Sequence, residues 1–235
     1  MSPRLQERAR SATPDELASV PWWPLLDADS QALVARHLHV ATAEPGERLC
    51  RIGAPASYWF GVLDGLLKMS NDEAGGAPPI TFTGVPPGGW FGEGTLLKRE
   101  SYRYNIQALR RSRVAGLPLP QFEALLAQSI GFNRFVLDQL NERLGQFIAA
   151  RETDRSIDPD FRVARNLAAL FHPQLYPGVG QLLRITQQEL AYLVGLSRQR
   201  CNLALQRLAQ DGLIRVEYGG LHMLDLPGLR DFHAA

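Results

Sequence analysis

The chain has 235 residues, 45% of them hydrophobic and 21% charged, a globular composition with room for one large or two ordinary domains. Its 25 basic and 24 acidic side chains leave no global field to attract nucleic acid, so any basic surface must be local. No apolar run approaches the roughly 18 residues of a membrane span and the opening MSPRLQERARSATPDEL lacks a signal peptide's apolar core, so no membrane association is expected and the cytoplasm is the expected location.

Residues 1–20 read as a flexible, polar N-terminus. From Pro21 the texture is β, with short apolar runs between Gly, Pro and Asp, after a short helix expected over Asp29 to His37. The clearest hairpin is SYWFGVLDGLLKMS, Ser57 to Ser70, where Asp64-Gly65 suits a tight type I′ turn. Tyr58, Trp59 and Trp90 are expected at the core or rim of this unit. Further strands are expected at Ile80 to Val85, Tyr104 to Ala108 and Arg113 to Pro118. Many short strands with frequent turns suggest a sandwich, jelly roll or barrel. After Pro120 the texture turns helical. Phe122, Leu125 and Leu126 mark a short helix, and a long one follows over roughly Phe132 to Arg155. Along it Leu137, Leu140, Leu144, Phe147 and Arg151 repeat with heptad-like spacing, widened by Ile148. This stripe predicts one face on the β-domain and one on a partner helix.

Ser156-Ile157-Asp158-Pro159 breaks that helix and marks a domain boundary. Asp158 as cap and Pro159 in the first turn start a helix to about Phe171. The loop HPQLYPGVGQ, His172 to Gln181, follows. Thr186-Gln187-Gln188-Glu189 has the form of a capping box and opens a short helix with Leu190, Leu193 and Val194 apolar. Gly195 suits a left-handed turn, Leu196 points inward and Ser197 caps the next helix. In that helix Cys201, Leu205 and Leu208 form a buried stripe. Its first turn instead carries Arg198, Gln199 and Arg200, and no carboxylate falls between Ser197 and Gln210. A helix dipole disfavours positive charge at its start, so these arginines are expected to face something outside the chain. Gly212 ends the helix, Ile214 and Val216 alternate with polar residues, and Gly219-Gly220 makes a two-residue turn.

Two helices about a glycine-containing turn, followed by a small hairpin, spell a winged helix-turn-helix. Such a motif enters the DNA major groove by the N-terminal turn of its second helix. Arg198 is expected to pair with guanine O6 and N7, for about 1–3 kcal/mol of discrimination, and Gln199 to reach a base edge. Asn202, Leu203 and Gln206 share the outward face, Leu203 offering apolar contact to a thymine methyl. Arg200 and Thr186 are expected at phosphates, which position without specifying. A solvated basic face would explain a charge cluster alone. The coincidence of capping box, turn glycine, acid-free basic turn and wing favours DNA.

The stretch ITQQELAYLVGLSRQRCNLALQRLAQDGLI resembles the DNA-binding region of the cyclic-AMP receptor protein and FNR regulators, the CRP/FNR family. PGERLCRIGAPASYWFGVLDGLLKM resembles that family's early sensor strands, and PPGGWFGEGTLL its nucleotide cassette. The resemblance covers roughly Pro21 to Asp225. It implies an α+β chain: a β-roll sensor of the cyclic-nucleotide-binding jelly-roll type over 21–131, a dimerisation helix over 132–156 and a winged helix-turn-helix over 157–235. It implies a homodimer on near-palindromic double-stranded DNA, with half-sites about one helical turn, roughly 34 Å, apart. It also places the loop His172 to Gln181 where family members touch RNA polymerase.

In that family a Gly-Glu pair precedes a short helix whose amides hold a cyclic phosphate, the Glu takes a ribose hydroxyl, and an Arg-Ser pair further on takes the phosphate. Gly92-Glu93, followed by Gly94 and Thr95, matches the first part, and a glycine-flanked helix start is anion chemistry in its own right. The pair could equally serve the roll itself, Gly for the turn and Glu for a cap. SYRYNIQAL departs from the second part. With Ala108 held in register, Tyr102 and Arg103 take the Arg-Ser places; counted forward from Gly92, Arg103 and Tyr104 do. The family's adenine-contacting Thr-Ser pair falls at Phe147-Ile148, whose side chains cannot hydrogen-bond an adenine amine. These departures speak against cyclic AMP and leave another cyclic nucleotide, a cyclic dinucleotide, an apolar effector or no ligand. The iron–sulfur branch needs several N-terminal cysteines. The cysteines here are Cys50 and Cys201, so neither such a cluster nor a disulfide framework is expected. His37, His39, His172, His222 and His233 are scattered without ligand spacing, which leaves haem open on composition alone. There is no G-x-S-x-G, Walker loop, H-E-x-x-H or CxxC pair, and Asp158 and Asp160 read as helix-capping residues, so no catalytic residue is assigned. Two alternatives stand beside an effector-gated regulator: an effector-independent DNA binder, and a ligand-sensing module acting through protein contacts.

Overall fold

A computed structural model of the chain describes residues 3–71, 80–155 and 158–232. Three short elements come first: α1 (Pro3–Glu7), β1 (Arg10–Ser11) and α2 (Pro14–Ala18). Then follow α3 (Ala28–His37), β2 (His39–Ala43), β3 (Arg48–Cys50), β4 (Tyr58–Asp64), β5 (Leu67–Asn71), β6 (Ile80–Val85) and β7 (Trp90–Phe91). The domain closes with α4 (Glu93–Lys98), β8 (Asn105–Ala108), β9 (Ser112–Pro118) and α5 (Leu119–Gln128). The long helix is α6 (Ile130–Arg155). The C-terminal part comprises α7 (Pro159–Leu170), β10 (Leu182–Leu183), α8 (Gln187–Val194), α9 (Arg198–Gln210), β11 (Ile214–Glu217), β12 (Gly220–Met223) and α10 (Leu226–Arg230).

The β-domain is two antiparallel sheets, ordered β1-β2-β9-β4-β7 and β3-β8-β5-β6. Alternating apolar residues fill the space between them: Phe60, Val62 and Phe91 from one sheet, Leu67, Met69 and Ile106 from the other. The outer face of the first sheet carries a second core, in which Trp22, Trp59 and Trp90 pack with Val34, Phe122 and Phe132 of α3, α5 and α6. The Trp22 ring centroid lies 5.3 Å from that of Trp59 and 5.0 Å from that of Trp90. Gly61 permits this stack, since a Cβ there would lie 2.3 Å from the Trp90 ring.

Two expectations are corrected here. Ser57 to Ser70 does form two strands, but they do not pair with each other. β4 pairs with β9 and β7, whereas β5 pairs with β6 and β8. At Gly65, with φ of +110°, the chain crosses between sheets, and a Cβ there would lie 2.2 Å from Ser112 Oγ. That hydroxyl accepts the Leu66 N–H at 3.2 Å. Asp-Gly chemistry fixes a local turn but not the partner of the next strand. The seven-residue β9 is the better partner for β4, matching it from Tyr58 to Asp64.

The N-terminus is likewise built into the domain from Pro3 on rather than flexible to residue 20. Leu5 is buried in the roll's core, β1 pairs with β2, and Thr13 with Glu16 forms a capping box for α2. The sequence's polar look misled because its charges pair. Arg10 donates to both Glu16 carboxylate oxygens at 2.7 Å. The Arg10 guanidinium, aided by the Thr13 amide, holds the Glu16 carboxyl down from its ordinary 4.5 to about 2. A depressed carboxylate pKa contributes stability above the unfolded value that disappears as pH falls through the folded one. The difference in melting temperature between wild type and Glu16→Gln, followed by circular dichroism, is therefore expected to shrink between pH 5 and pH 2.

The remaining elements lie close to expectation. α6 starts two residues earlier than read, at Ile130. The Asp158 carboxylate caps α7 through the amides of Asp160 and Phe161. Ser156 and Ile157, read as part of the domain boundary, lie outside the described residues, as does His233. The C-terminal domain docks on the β5–β6 side of the roll. Gly84 of β6 faces Leu170 of α7 and Leu193 of α8 so closely that a Cβ would lie 2.9 Å from each. Lys68 of β5 is buried, and its Nζ donates to Tyr192 Oη of α8 at 2.9 Å. The loop after α7 buries Leu175 and Tyr176 and packs against the 86–89 turn at Gly178.

Candidate nucleic-acid interface and sensor pocket

The helix-turn-helix assembles from its own caps. Thr186 Oγ1 accepts the Glu189 amide at 3.1 Å, and Glu189 Oε2 accepts the Thr186 amide at 2.8 Å. Gly195 turns the chain at φ of +68°. Ser197 Oγ then accepts the Arg200 amide at 3.2 Å. α9 buries Cys201, Ala204, Leu205 and Leu208, and burial pushes the Cys201 thiol up to about 11, so it is a packing residue at neutral pH.

Arg198, Gln199 and Leu203 are exposed on the opposite face. Among the described residues Arg198 and Gln199 carry no hydrogen bond or ion pair. Arg200 and Asn202 differ. The Arg200 guanidinium pairs with Asp160 of α7, so Asp160 serves this pair rather than a cap. Asn202 is half-buried, and its Oδ1 accepts from Gln187 Nε2 at 2.8 Å, tying α9 to α8. Neither partner was legible locally, because they lie 40 and 15 residues away in sequence. β11 and β12 form the wing, with β10 as an unexpected third strand. Tyr218 stands fully exposed at its tip, and Gly219 turns at φ of +78°. A cleft of about 540 Å³ runs between the wing, the start of α8 and Arg198. Sequence reading missed Tyr218, whose only signal is an aromatic beside the hairpin glycines.

The second site lies in the roll. A cavity of about 740 Å³ is lined by Gly92, Glu93, Gly94, Thr95, Arg103 and Tyr104, so the six cassette residues do converge. Leu140, Arg143, Phe147 and Arg151 of α6 form its other wall. In the register that takes Arg103 and Tyr104 from SYRYNIQAL both residues line this cavity, whereas in the other Arg103 does and Tyr102 does not. Tyr102 is buried elsewhere, its hydroxyl donating to the Tyr58 carbonyl at 3.2 Å. Arg103 is mostly exposed and pairs with Glu100 at 2.9 Å.

Glu93 is not an open acceptor. It is buried, its Oε1 accepts from Arg143 Nε at 3.1 Å and its Oε2 accepts from Trp59 Nε1 at 3.3 Å. Arg143 Nη2 donates to the Trp90 carbonyl at 2.6 Å, while its Nη1 is buried without a hydrogen bond. Burial works against the Arg143 charge, but Glu93 outweighs it, and the Arg143 pKa is raised. Gly92 supports this arrangement with a left-handed φ of +101°. Sequence reading missed Arg143, a lone basic residue between the apolar heptad positions.

The apolar stripe of α6 divides in two. Leu140, Phe147 and Arg151 turn to the cavity. Leu137, Leu144 and Ile148 are 64%, 59% and 60% exposed, an apolar ridge left uncovered by the described residues. Among the described residues there is no cluster of three His, Cys, Asp or Glu side chains able to hold a metal ion, and no helix is long and apolar enough to cross a membrane.

Two family models match the two sites. Residues 40–129 match the cyclic nucleotide-binding domain, and residues 161–232 match the Crp-like helix-turn-helix domain. The chain is 30% identical over 185 residues to the transcriptional regulator SdrP of Thermus thermophilus, covering 77% of this chain and 86% of that protein. It is 25% identical over 191 residues to the transcriptional regulatory protein btr of Bordetella pertussis, covering 80% and 78%. Its fold is that of FixK2 from Bradyrhizobium japonicum, with a TM-score of 0.64 at 16% identity over 83% of this chain and 97% of that one. With a roll carrying the nucleotide cassette, a long helix and a winged helix-turn-helix in this order, the chain belongs to the CRP/FNR family of transcription regulators.

Proposed function

We propose that the regulator is a cytoplasmic homodimer that reads a near-palindromic DNA site through Arg198 and Gln199. One observation carries this reading: the first turn of α9 holds both side chains in solvent without a partner among the described residues, while the same helix is fixed behind them by Ser197, Asp160 and Gln187. Specificity comes from Arg198 and Gln199, with Leu203 adding apolar contact. Thr186 lies where α8 meets a phosphate. Arg200 and Asn202 hold the helix rather than read the groove. Tyr218 puts the wing on the backbone. The outer residues of the loop after α7, Pro173, Gln174 and Pro177, are exposed and are the surface proposed for RNA polymerase.

The exposed ridge of α6 supports the dimer. Three large apolar side chains at one helix face are what a second copy of α6 would cover. Leu144→Glu is expected to convert the dimer to monomer at micromolar concentration in sedimentation velocity and to abolish a two-fold symmetric footprint. A Leu144→Glu protein that remains dimeric would remove α6 as the interface.

The cavity of the roll is the proposed effector site. It sets cations, Arg103 and Arg151, beside apolar Phe147 and Leu140. A ribose diol would have to compete with Arg143 and Trp59 for Glu93, and Phe147 offers no acceptor to an adenine amine. An effector with an anionic group and a flat or apolar body suits this lining, and a cyclic dinucleotide is within that class. Cyclic AMP at millimolar concentration is expected to leave operator affinity unchanged within twofold in fluorescence anisotropy. A tenfold or larger change would overturn this assignment.

A further inference from the structure

A second cavity lies outside the roll, where the two domains meet. It holds about 360 Å³ between α6, α7, β6 and the end of α8, a volume in the range of small-molecule sites. Its wall is chemically two-sided. Arg162 and Arg165 of α7 and Arg230 of α10 all line this space, with Arg165 donating to the Arg230 carbonyl and lying over the Phe161 ring. Phe82 of β6 and Leu193 of α8 supply an apolar side. Glu142 is the one carboxylate among the described lining residues, and it is engaged by His172 Nε2 at 3.1 Å.

The room is built into the sequence. Gly145 of α6 faces open space, since a Cβ there would meet nothing within 4 Å. Arg162 is held in place, its Nη2 donating to the Val194 carbonyl at 2.6 Å. The His172 pKa is lowered, first by burial, with Arg230 and Arg143 contributing against the pull of Glu142.

We propose that this interdomain cavity is a second ligand site, for a small organic anion that carries a carboxylate or phosphate on a compact apolar body. The anionic group meets the arginines, which are suited to planar oxyanions, and the body lies against Phe82 and Leu193. Thr81 and Phe82 also line the cavity of the roll, so the two sites share a wall in β6. A ligand here touches the roll through β6 and the DNA-binding domain through α7 and α10. It therefore favours the docked arrangement over any in which α7 leaves β6.

The test uses full-length protein with phenyl phosphate, phenylacetate and neutral phenol as probes, followed by isothermal titration and saturation-transfer NMR. Both anions are expected to bind and phenol to bind at least tenfold more weakly; whichever anion is tighter identifies the preferred group. Arg230→Gln and the cavity-filling Ala169→Met are each expected to weaken the anions at least tenfold. Gly94→Trp, which fills the roll's cavity instead, is expected to leave the Arg230-dependent part of the binding within twofold, any binding that it alone removes belonging to the roll. Circular dichroism checks that each variant is folded, and Arg230, exposed on the surface, keeps the test valid if Ala169→Met is not. Absence of binding at 10 mM, binding indifferent to both interdomain variants, or loss only in Gly94→Trp would each overturn the assignment.

Discussion

Arg143→Leu is expected to lower the unfolding free energy of the β-domain by about 3–5 kcal/mol, the scale for breaking a buried pair from one side. The cause is what remains behind. Glu93 would stay buried with, among the described residues, the Trp59 N–H at 3.3 Å as its remaining side-chain donor, and the Trp90 carbonyl would lose its 2.6 Å donor. The double change Glu93→Gln with Arg143→Met is expected to recover most of the loss, because replacing both partners removes the uncompensated charge. All four tryptophans, Trp22, Trp23, Trp59 and Trp90, lie in the β-domain. Urea unfolding followed by tryptophan fluorescence therefore reads this domain directly. A loss under 1 kcal/mol for Arg143→Leu would mean that the pair does not hold the cassette to α6.

Arg198→Ala is the change expected to matter most for DNA. A bidentate arginine–guanine pair contributes about 1–3 kcal/mol of discrimination, so affinity for the preferred site should fall roughly 5–150-fold while preference relaxes at one base pair. The protein's fold should be untouched, because Arg198 has no side-chain partner among the described residues. Arg200→Ala makes the contrast. With its charge already paired to Asp160, it is expected to weaken all sequences alike and leave the salt dependence of binding unchanged. A drop of about one in that slope would instead place Arg200 on a phosphate. Titrating labelled duplexes over a range of salt distinguishes the two arginines, and an Arg198→Ala protein with unaltered base preference would show that Arg198 does not read bases.

The parts that were legible in the sequence are those written in local chemistry. Thr186 with Glu189, Gly195 and Ser197 fix a helix, a turn and a second helix within a dozen residues, and each cap is made by its own neighbours. Asp158-Pro159 starts α7 for the same reason. What escaped depends on distance along the chain. Asp64-Gly65 looks like a hairpin turn, yet β9, some fifty residues on, claims β4. Arg200 looks free until Asp160 comes beside it. Gly92-Glu93 lines a cavity, but Glu93 is engaged by Arg143, fifty residues away. The heptad stripe of α6 was visible as a stripe. Its division into a ridge at Leu137, Leu144 and Ile148 and a pocket wall at Leu140 and Phe147 required the roll to be in place.

The most direct measurement of the central claim is a selection of genomic fragments by the purified protein at fixed salt, sequenced with and without a panel of cyclic nucleotides, and repeated with Arg198→Ala. The account predicts enrichment of a two-fold symmetric motif with half-sites about one helical turn apart, lost or degenerate at one base pair per half-site in the variant. No enrichment under any condition, or a motif that the variant enriches equally, would contradict it.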